Sequence, residues 1–466
     1  MSVNKSGGAA GVRPSRDENV AKLRAQQNRS LGRMMDLVAQ GHPHYQQIFR
    51  QHGLSPSDFR TAEDLRKLPL TRKTDWMADP DRFRMRLDGI PGLSLEETTI
   101  ADIIYTTGST GKPTPFYDTM HDRFARILHM KRVTQIAGIG PGDVVMNLFP
   151  LSSIPHQGFL SAMWGSQSVG ARLVSGMTGR EYPDFPIHNR MDHSIMMIER
   201  DRATVIWGIA TYVRRLVMRA QELGKDFSSV RLAMVMGEPC PDGMRADIIA
   251  RLKSLGSADP KVNNGYGFTE GQAPAVQCCD AVDMHFGAPE QYFLDVIDPK
   301  TEQPVPDGEK GMLSISHLNR RGTVLLRYVV GDMVVMTHET CARCGLTGPR
   351  FTMTPYRADG LFKVKGTLIN PASIHDKLAQ ILTDGVTEYQ VVITKEVADD
   401  PYSTDALMVR LACNERERER LERAAKSLVS SAVEITPKVE FLPEDAFSEI
   451  ARGYKFKRFV DERKKQ

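Results

Sequence analysis

The sequence predicts an α/β protein in two unequal parts: a large N-terminal domain of parallel α/β subdomains plus a small β subdomain, then a small α+β C-terminal domain. Three observations carry this. The chain has 466 residues, too many for one hydrophobic core. From Ile100 to about residue 270, short apolar runs alternate with helical patterns, the mark of a parallel sheet with crossover helices. From Ala358 a new set of strands and helices begins, about 110 residues long and large enough for a unit of its own.

The elements follow in order. Residues 1–18 are polar and glycine-rich and are expected to be a disordered head without an apolar leader. Residues 19–51 read as a packing helix, with apolar spacing at Leu31, Met34, Met35, Leu37 and Val38. Ser57 and Thr61 are expected to cap short helical runs in 54–75. The run ending in Tyr105 feeds a Gly/Ser/Thr loop and opens the alternating region. Residues 287–336 are strand-rich, with turns at Asp298-Pro299-Lys300 and Pro306-Asp307-Gly308. The C-terminal part predicts a strand at 362–364, a helix from Ile374, strands at 389–393 and 406–411, and a charged helix at 415–430. The division is therefore 1–18, 19–357 and 358–466.

Composition narrows the function classes. Hydrophobic residues make up 41 % and charged residues 25 %, which excludes wholesale disorder, collagen and a disulfide scaffold. The net charge of +4 announces neither a nucleic acid nor a membrane surface, and neither is expected as a partner. No run of about 18 apolar residues occurs, so a cytoplasmic location is expected. Six cysteines are unevenly placed, and four form the pairs Cys278–Cys279 and Cys341–Cys344, which invites a metal reading.

The loop Thr106-Thr107-Gly108-Ser109-Thr110-Gly111-Lys112-Pro113-Thr114 combines hydroxyls, glycine amides and one lysine, the equipment for cradling phosphate oxygens. It is not a Walker A loop, because two residues rather than four separate its glycines and proline follows the lysine. Its order resembles the phosphate loop [ST]-[ST]-G-[ST]-T-G-x-P of the adenylate-forming superfamily of acyl-CoA synthetases, adenylation domains and luciferases. Further matches follow in the same order: Gly237-Glu238-Pro239, the Y-G-x-T-E-like stretch Tyr266 to Glu270, Tyr328 to Asp332 as a reduced Y-R-T-G-D, and YRADGLFKVKGTLINP over 356–371 as the hinge motif. The ending from Lys455 to Asp461 is similar to the G-K-x-x-R-x-x-D of phenylacetate-CoA ligases, with Tyr454 where that branch has glycine. His42-Pro43-His44-Tyr45 and the run from Leu65 to Lys73 resemble the same branch.

This resemblance implies a two-step ATP-dependent enzyme. The residues suit the roles it assigns. Glu270 offers a hard oxygen ligand for Mg²⁺, Thr269 a hydroxyl for the α-phosphate, Tyr266 a flat face for adenine and Asp332 paired oxygens for ribose hydroxyls. Arg357 is given a ribose or phosphate contact, and Thr106 to Lys112 with Gly237, Glu238 and Pro239 complete the nucleotide site. Lys455, with Lys457 as second choice, would neutralise charge between acyl and phosphate oxygens during adenylation. Asp359 is the implied hinge of a mobile C-terminal domain. A small carboxylic acid is the substrate, an aryl one being favoured by Phe149, Trp207 and Phe268, with His156 near it. Coenzyme A is the default acceptor, with a carrier-protein thiol, an amine, or adenylation without thioester formation remaining alternatives. A homodimer is left open as the assembly. Cys279, His285, Cys341 and Cys344 make a closed set for structural Zn²⁺, with Cys278 as the alternate to Cys279. A zinc-knuckle scaffold is the competing, non-enzymatic reading.

Overall fold

The computed structural model describes residues 16–106, 113–151, 157–178, 190–278, 283–352, 355–357, 362–364, 367–397, 403–450 and 456–465. Its centre is a mixed twelve-stranded sheet. Five parallel strands form one half, in the order Arg172–Ser175, Val144–Asn147, Val205–Gly208, Leu232–Met236 and Lys261–Tyr266. The strands at 144–147 and 205–208 are buried along their whole length, because helices cover both faces of a parallel sheet.

After Lys261–Tyr266 the chain reverses. Ala275–Gln277, Met284–Phe286, Arg350–Phe351, Tyr328–Thr337, Lys310–His317 and Tyr292–Ile297 continue the sheet antiparallel, with Tyr356–Arg357 also paired to Tyr328–Thr337. The strand-rich region is thus joined to the α/β body through the sheet itself. The phosphate-loop sequence connects two strands of a separate antiparallel pair, Ile100–Tyr105 and Pro115–Thr119. A strand rather than a helix follows this loop: Pro113 and Pro115 disfavour helical backbone, and the helix Met120–Ile136 starts only at the capping box of Thr119 and Asp122.

The N-terminal stretch, expected as one helix, is two: Arg16–Gly41 and Pro43–His52. The first three residues of the first helix, Arg16 to Glu18, belong to the segment expected to be a disordered head. Pro43 ends the first helix, and His42 caps the second, its Nδ1 accepting from Tyr45 N at 3.3 Å. His42 Nε2 then donates to Val324 O at 3.1 Å, while Tyr45 Oη accepts from Leu326 N at 2.6 Å. The His-Pro-His-Tyr motif therefore ties the N-terminal helices to the segment leading into Tyr328–Thr337. Ser55, not Ser57, caps the turn Pro56–Asp58, where proline suits the first position; Thr61 caps Ala62–Lys67 as expected.

The C-terminal part holds a hairpin, Phe362–Val364 with Thr367–Ile369, a helix Pro371–Leu378, and a four-stranded sheet. In that sheet Asp405–Cys413 runs antiparallel to Val386–Lys395, and the outer strands Lys438–Phe441 and Phe459–Asp461 pair parallel. One hydrophobic cluster spans both parts, from Leu216, Ile248 and Leu252 to Leu378, Ile381 and Leu421. Among the described residues, no helix is long and apolar enough to cross a membrane.

Three buried imidazoles, His42, His129 and His317, are held neutral, because burial pushes each down to about 3 from an ordinary value of 6.5. The unfolded chain then binds protons that the folded chain refuses. Their contribution is complete above about pH 6.5 and is lost on acidification toward pH 3, by about 2 kcal/mol for each histidine between pH 6.5 and 5. Melting curves should show a steep acid-side loss of Tm. His42→Gln should lower Tm at neutral pH yet flatten that loss; an unchanged pH dependence would contradict the assignment to His42.

Candidate functional site

The parallel strands Leu232–Met236 and Lys261–Tyr266 lie in register, Met236 opposite Gly265, so their C-terminal ends and the turns after them stand side by side. Ligands of open α/β sheets bind at such ends. Gly237 turns the first strand at φ +89°, a conformation that disfavours any side chain. Glu238 Oε1 accepts from Thr211 N at 2.5 Å, fixing this turn to the start of helix Ala210–Glu222. Pro239 follows, and with Gly237 and Glu238 it lines a cavity at these strand ends.

After the second strand, Tyr266 donates its hydroxyl to Asp332 Oδ2 at 2.6 Å. Burial, with the Asp332 carboxylate next, pushes the Tyr266 phenol well above its ordinary value, so it stays a donor. Arg357 Nη1 lies 3.5 Å from Asp332 Oδ1 and donates to Val330 O at 3.0 Å. Gly331, at φ +86°, leaves room for it: a Cβ there would stand 3.1 Å from Arg357 Nη2. The structure thus brings together Tyr266, Asp332 and Arg357 from three separate motifs.

Thr269 and Glu270 occupy the short turn Thr269–Gly271. The Glu270 carboxylate is buried, accepts the Tyr328 hydroxyl at 2.8 Å, and has Lys73 Nζ at 3.9 Å. The Glu270 carbonyl receives His317 Nε2 at 2.9 Å, whose Nδ1 accepts from Leu325 N, which fixes the neutral tautomer. Lys73 had no role in the sequence reading beyond ending the Leu65-to-Lys73 resemblance. That motif was the available signal, and only the fold places the ammonium beside Glu270.

Thr106 pins the base of the glycine-rich loop, its amide donating to Thr114 O at 3.1 Å and its hydroxyl accepting from Thr114 N at 3.2 Å. Thr107, Gly108, Ser109, Thr110, Gly111 and Lys112 lie outside the described residues, as do His156, Asp359 and Lys455.

A cavity of about 560 Å³ is lined by Gly237, Tyr266, Asp332 and Arg357 from the large part and by Phe456 and Arg458 from the C-terminal part. Arg458 is a second residue with no role in the sequence reading beyond its place as the arginine of the Lys455-to-Asp461 resemblance. Its guanidinium donates to Glu388 Oε1 at 2.5 Å and to Tyr389 O at 3.0 Å, and lies over the rings of Tyr389 and Phe456. Its Nε and Nη2 are buried with no partner among the described residues. The aromatics expected to receive an aryl acid are not in this lining. Phe149 and Trp207 pack into a core cluster with Met130, Phe159 and Met234, Trp207 fully buried beneath Gly165, and Phe268 stacks on Gly271 beside Tyr266. Their apolar size, the property that suggested a pocket, is used to fill the sheet's flank.

Cys278, His285, Cys341 and Cys344 converge, their ligand atoms all within 4.8 Å of one another. The Cys278 and Cys341 sulfurs stand 4.0 Å apart, and Cys344 Sγ lies 3.4 Å from His285 Nε2. Among the described residues the first cysteine of this set is Cys278, the alternate, while Cys279 lies outside them. A tetrahedral zinc with Zn–S near 2.3 Å requires sulfur–sulfur edges of about 3.8 Å, and these distances fit it. Burial and the neighbouring Cys344 and Cys341 sulfurs push the Cys278 thiol well up, a setting that a divalent cation would reverse.

Comparison with known proteins agrees with this geometry. The family described as "AMP-binding enzyme" matches residues 50–320. The phenylacetate-coenzyme A ligase of Thermus thermophilus is 29 % identical over 385 residues, covering 80 % of this chain and 79 % of the relative. A solved 2-hydroxyisobutyryl-CoA ligase in its postadenylation state, in complex with R3-HIB-AMP, superposes with a TM-score of 0.77 at 21 % identity, covering 98 % of this chain and 95 % of that one. The same ligase in its thioesterification state superposes at 0.62, with 22 % identity and coverage of 98 % and 95 %. The sheet that gathers Gly237, Tyr266 and Asp332 around one cavity, and the family match that spans more than half of the sequence, lead to one conclusion: this chain belongs to the AMP-binding enzyme family.

Proposed function

We propose that the protein activates a small carboxylic acid with ATP and passes the acyl group to coenzyme A. The observation that carries this is the shared cavity, where Tyr266, Asp332 and Arg357 meet Phe456 and Arg458, neighbours in sequence of Lys455. In the first step a carboxylate oxygen attacks the α-phosphorus, the bond to the leaving pyrophosphate breaks, and an acyl-adenylate forms. In the second, the coenzyme A thiolate attacks the acyl carbon and AMP leaves. Such chemistry asks the protein mainly for positioning and charge neutralisation. Tyr266 stacks on adenine, Asp332 takes the ribose hydroxyls and Arg357 reaches ribose or phosphate. Thr269 and the loop from Thr106 to Lys112 hold phosphate oxygens. Glu270 is the Mg²⁺ ligand, its carboxylate already oriented by Tyr328. Residues 358–466 form the mobile domain, with Asp359 as hinge and Lys455 as the cation for adenylation, and the enzyme works in the cytoplasm. The relatives named as phenylacetate-coenzyme A ligases support an aryl acid.

The test is ATP–pyrophosphate exchange across a panel of aryl and aliphatic acids, followed by product analysis with coenzyme A. Exchange and a thioester with an aryl acid are expected; no exchange with any acid overturns the reading. Lys455→Ala should abolish exchange while largely sparing thioester formation from a supplied acyl-adenylate, and equal loss of both would move the role elsewhere.

Cys278, His285, Cys341 and Cys344 are proposed to hold a structural Zn²⁺, stapling the strands after Glu270 to the turn after Thr337. Metal analysis should find one zinc per chain. Chelation should lower Tm by several degrees while the turnover of molecules still folded changes little; protein purified without zinc would sink the assignment.

A further inference from the structure

Arg214 lies on helix Ala210–Glu222 with its side chain completely buried. Its Nε donates to Asp247 Oδ2 at 2.7 Å within the large part. The other end of the guanidinium crosses to the C-terminal part: Nη1 donates to Thr387 O, and Nη2 to Val386 O at 3.3 Å. These two residues begin the strand Val386–Lys395, where the register slips between Val386 and Glu388 and leaves Thr387 out of the ladder. The next residue, Glu388, holds Arg458, and Arg458 lines the nucleotide cavity three positions after Lys455.

The ion pair with Asp247 does not by itself explain Arg214. Arg251 Nε donates to both oxygens of Asp247 at 3.0 Å, so the carboxylate is satisfied without Arg214. What Arg214 alone does is reach across to the two carbonyls. The surrounding interface is apolar and close. Gly243 lies so near that a Cβ on it would stand 2.2 Å from Ala379 O, and the hydrophobic cluster runs through both parts. Apolar packing favours contact without a preferred direction, whereas a planar guanidinium facing two carbonyls accepts one orientation.

Resting on the proposed ligase reading, we propose that Arg214 is a positioning residue for the adenylation half-reaction: it latches the C-terminal part in the orientation that brings residues 456–458 to the nucleotide cavity. Rotation of that part away from the cavity breaks both carbonyl bonds, so the latch weights the equilibrium toward the adenylation arrangement and leaves thioester formation alone.

The experiment uses the full-length protein with Arg214→Met, which retains the stem volume, and Arg214→Lys, which retains the charge but not the fork. ATP–pyrophosphate exchange should fall about tenfold in Arg214→Met through kcat, with KM for ATP changed by less than about threefold, because Tyr266 and Asp332 are untouched. Thioester formation from a supplied acyl-adenylate should stay within about threefold of the unsubstituted protein, and Arg214→Lys should fall between the two. Equal losses in both half-reactions, or unchanged exchange in both variants, would overturn the latch. Should Arg214→Met not fold, Arg214→Lys decides alone: exchange reduced severalfold with thioester formation spared supports the latch, and any other pattern refutes it. Exchange in the unsubstituted protein with none of this pattern in the variants refutes the latch only; absence of exchange in the unsubstituted protein removes the ligase reading and the latch together.

Discussion

Two parallel strands that end level with each other, Leu232–Met236 and Lys261–Tyr266, set the conditions for nearly everything else in the site. Because they finish at the same height, the turn at Gly237 and the strand end at Gly265-Tyr266-Gly267 open onto one cavity, and the sheet's reversal after Tyr266 brings in a third strand carrying Asp332. The Tyr266–Asp332 hydrogen bond at 2.6 Å joins the parallel and antiparallel halves across that space. It joins two groups that the nucleotide reading also assigns to one ligand, so the same contact that organises the sheet orients the site. Gly331 is constrained from both sides, by its positive φ and by Arg357 lying over it.

Around this centre the protein uses buried polar groups as ties rather than as chemistry. His42 and Tyr45 bind the N-terminal helices to the strand approach at Val324 and Leu326, and His317 holds the Glu270 turn through its carbonyl. His42 and His317 are neutral and each uses one nitrogen as donor and the other as acceptor for backbone groups, the arrangement a buried histidine needs to avoid an unpaired polar atom. The cysteine–histidine cluster is a comparable tie. It sits where the short strands Met284–Phe286 and Arg350–Phe351 pair over only two residues, a region with few ladder bonds of its own.

Much of the site was legible in the sequence because its signals are local. Tyr266 to Glu270 and Tyr328 to Asp332 are short stretches whose order carries the resemblance by itself, and Cys341 and Cys344 are close enough for their spacing to suggest a metal. Lys73, Arg214 and Arg458 were not legible. Lys73 and Glu270 are far apart in sequence, and a lone arginine on an amphipathic helix reads like any solvated charge until the fold removes its solvent. Phe149 and Trp207 failed in the opposite direction, since an aromatic side chain lining a pocket and one filling a core look alike in composition.

What the sequence alone determined was the two-part α/β organisation, the family, and the residue types gathered around the ends of the two central strands, because strand and helix periodicity and contiguous motifs are written within short stretches of chain. Only the tertiary structure decided that the strand-rich region continues the main sheet, that Cys278 joins His285, Cys341 and Cys344, and that Arg214 spans the two parts. Those outcomes depend on which distant segments pack together, and that is settled by the register of the sheet and the burial of its flanks rather than by any single stretch of residues.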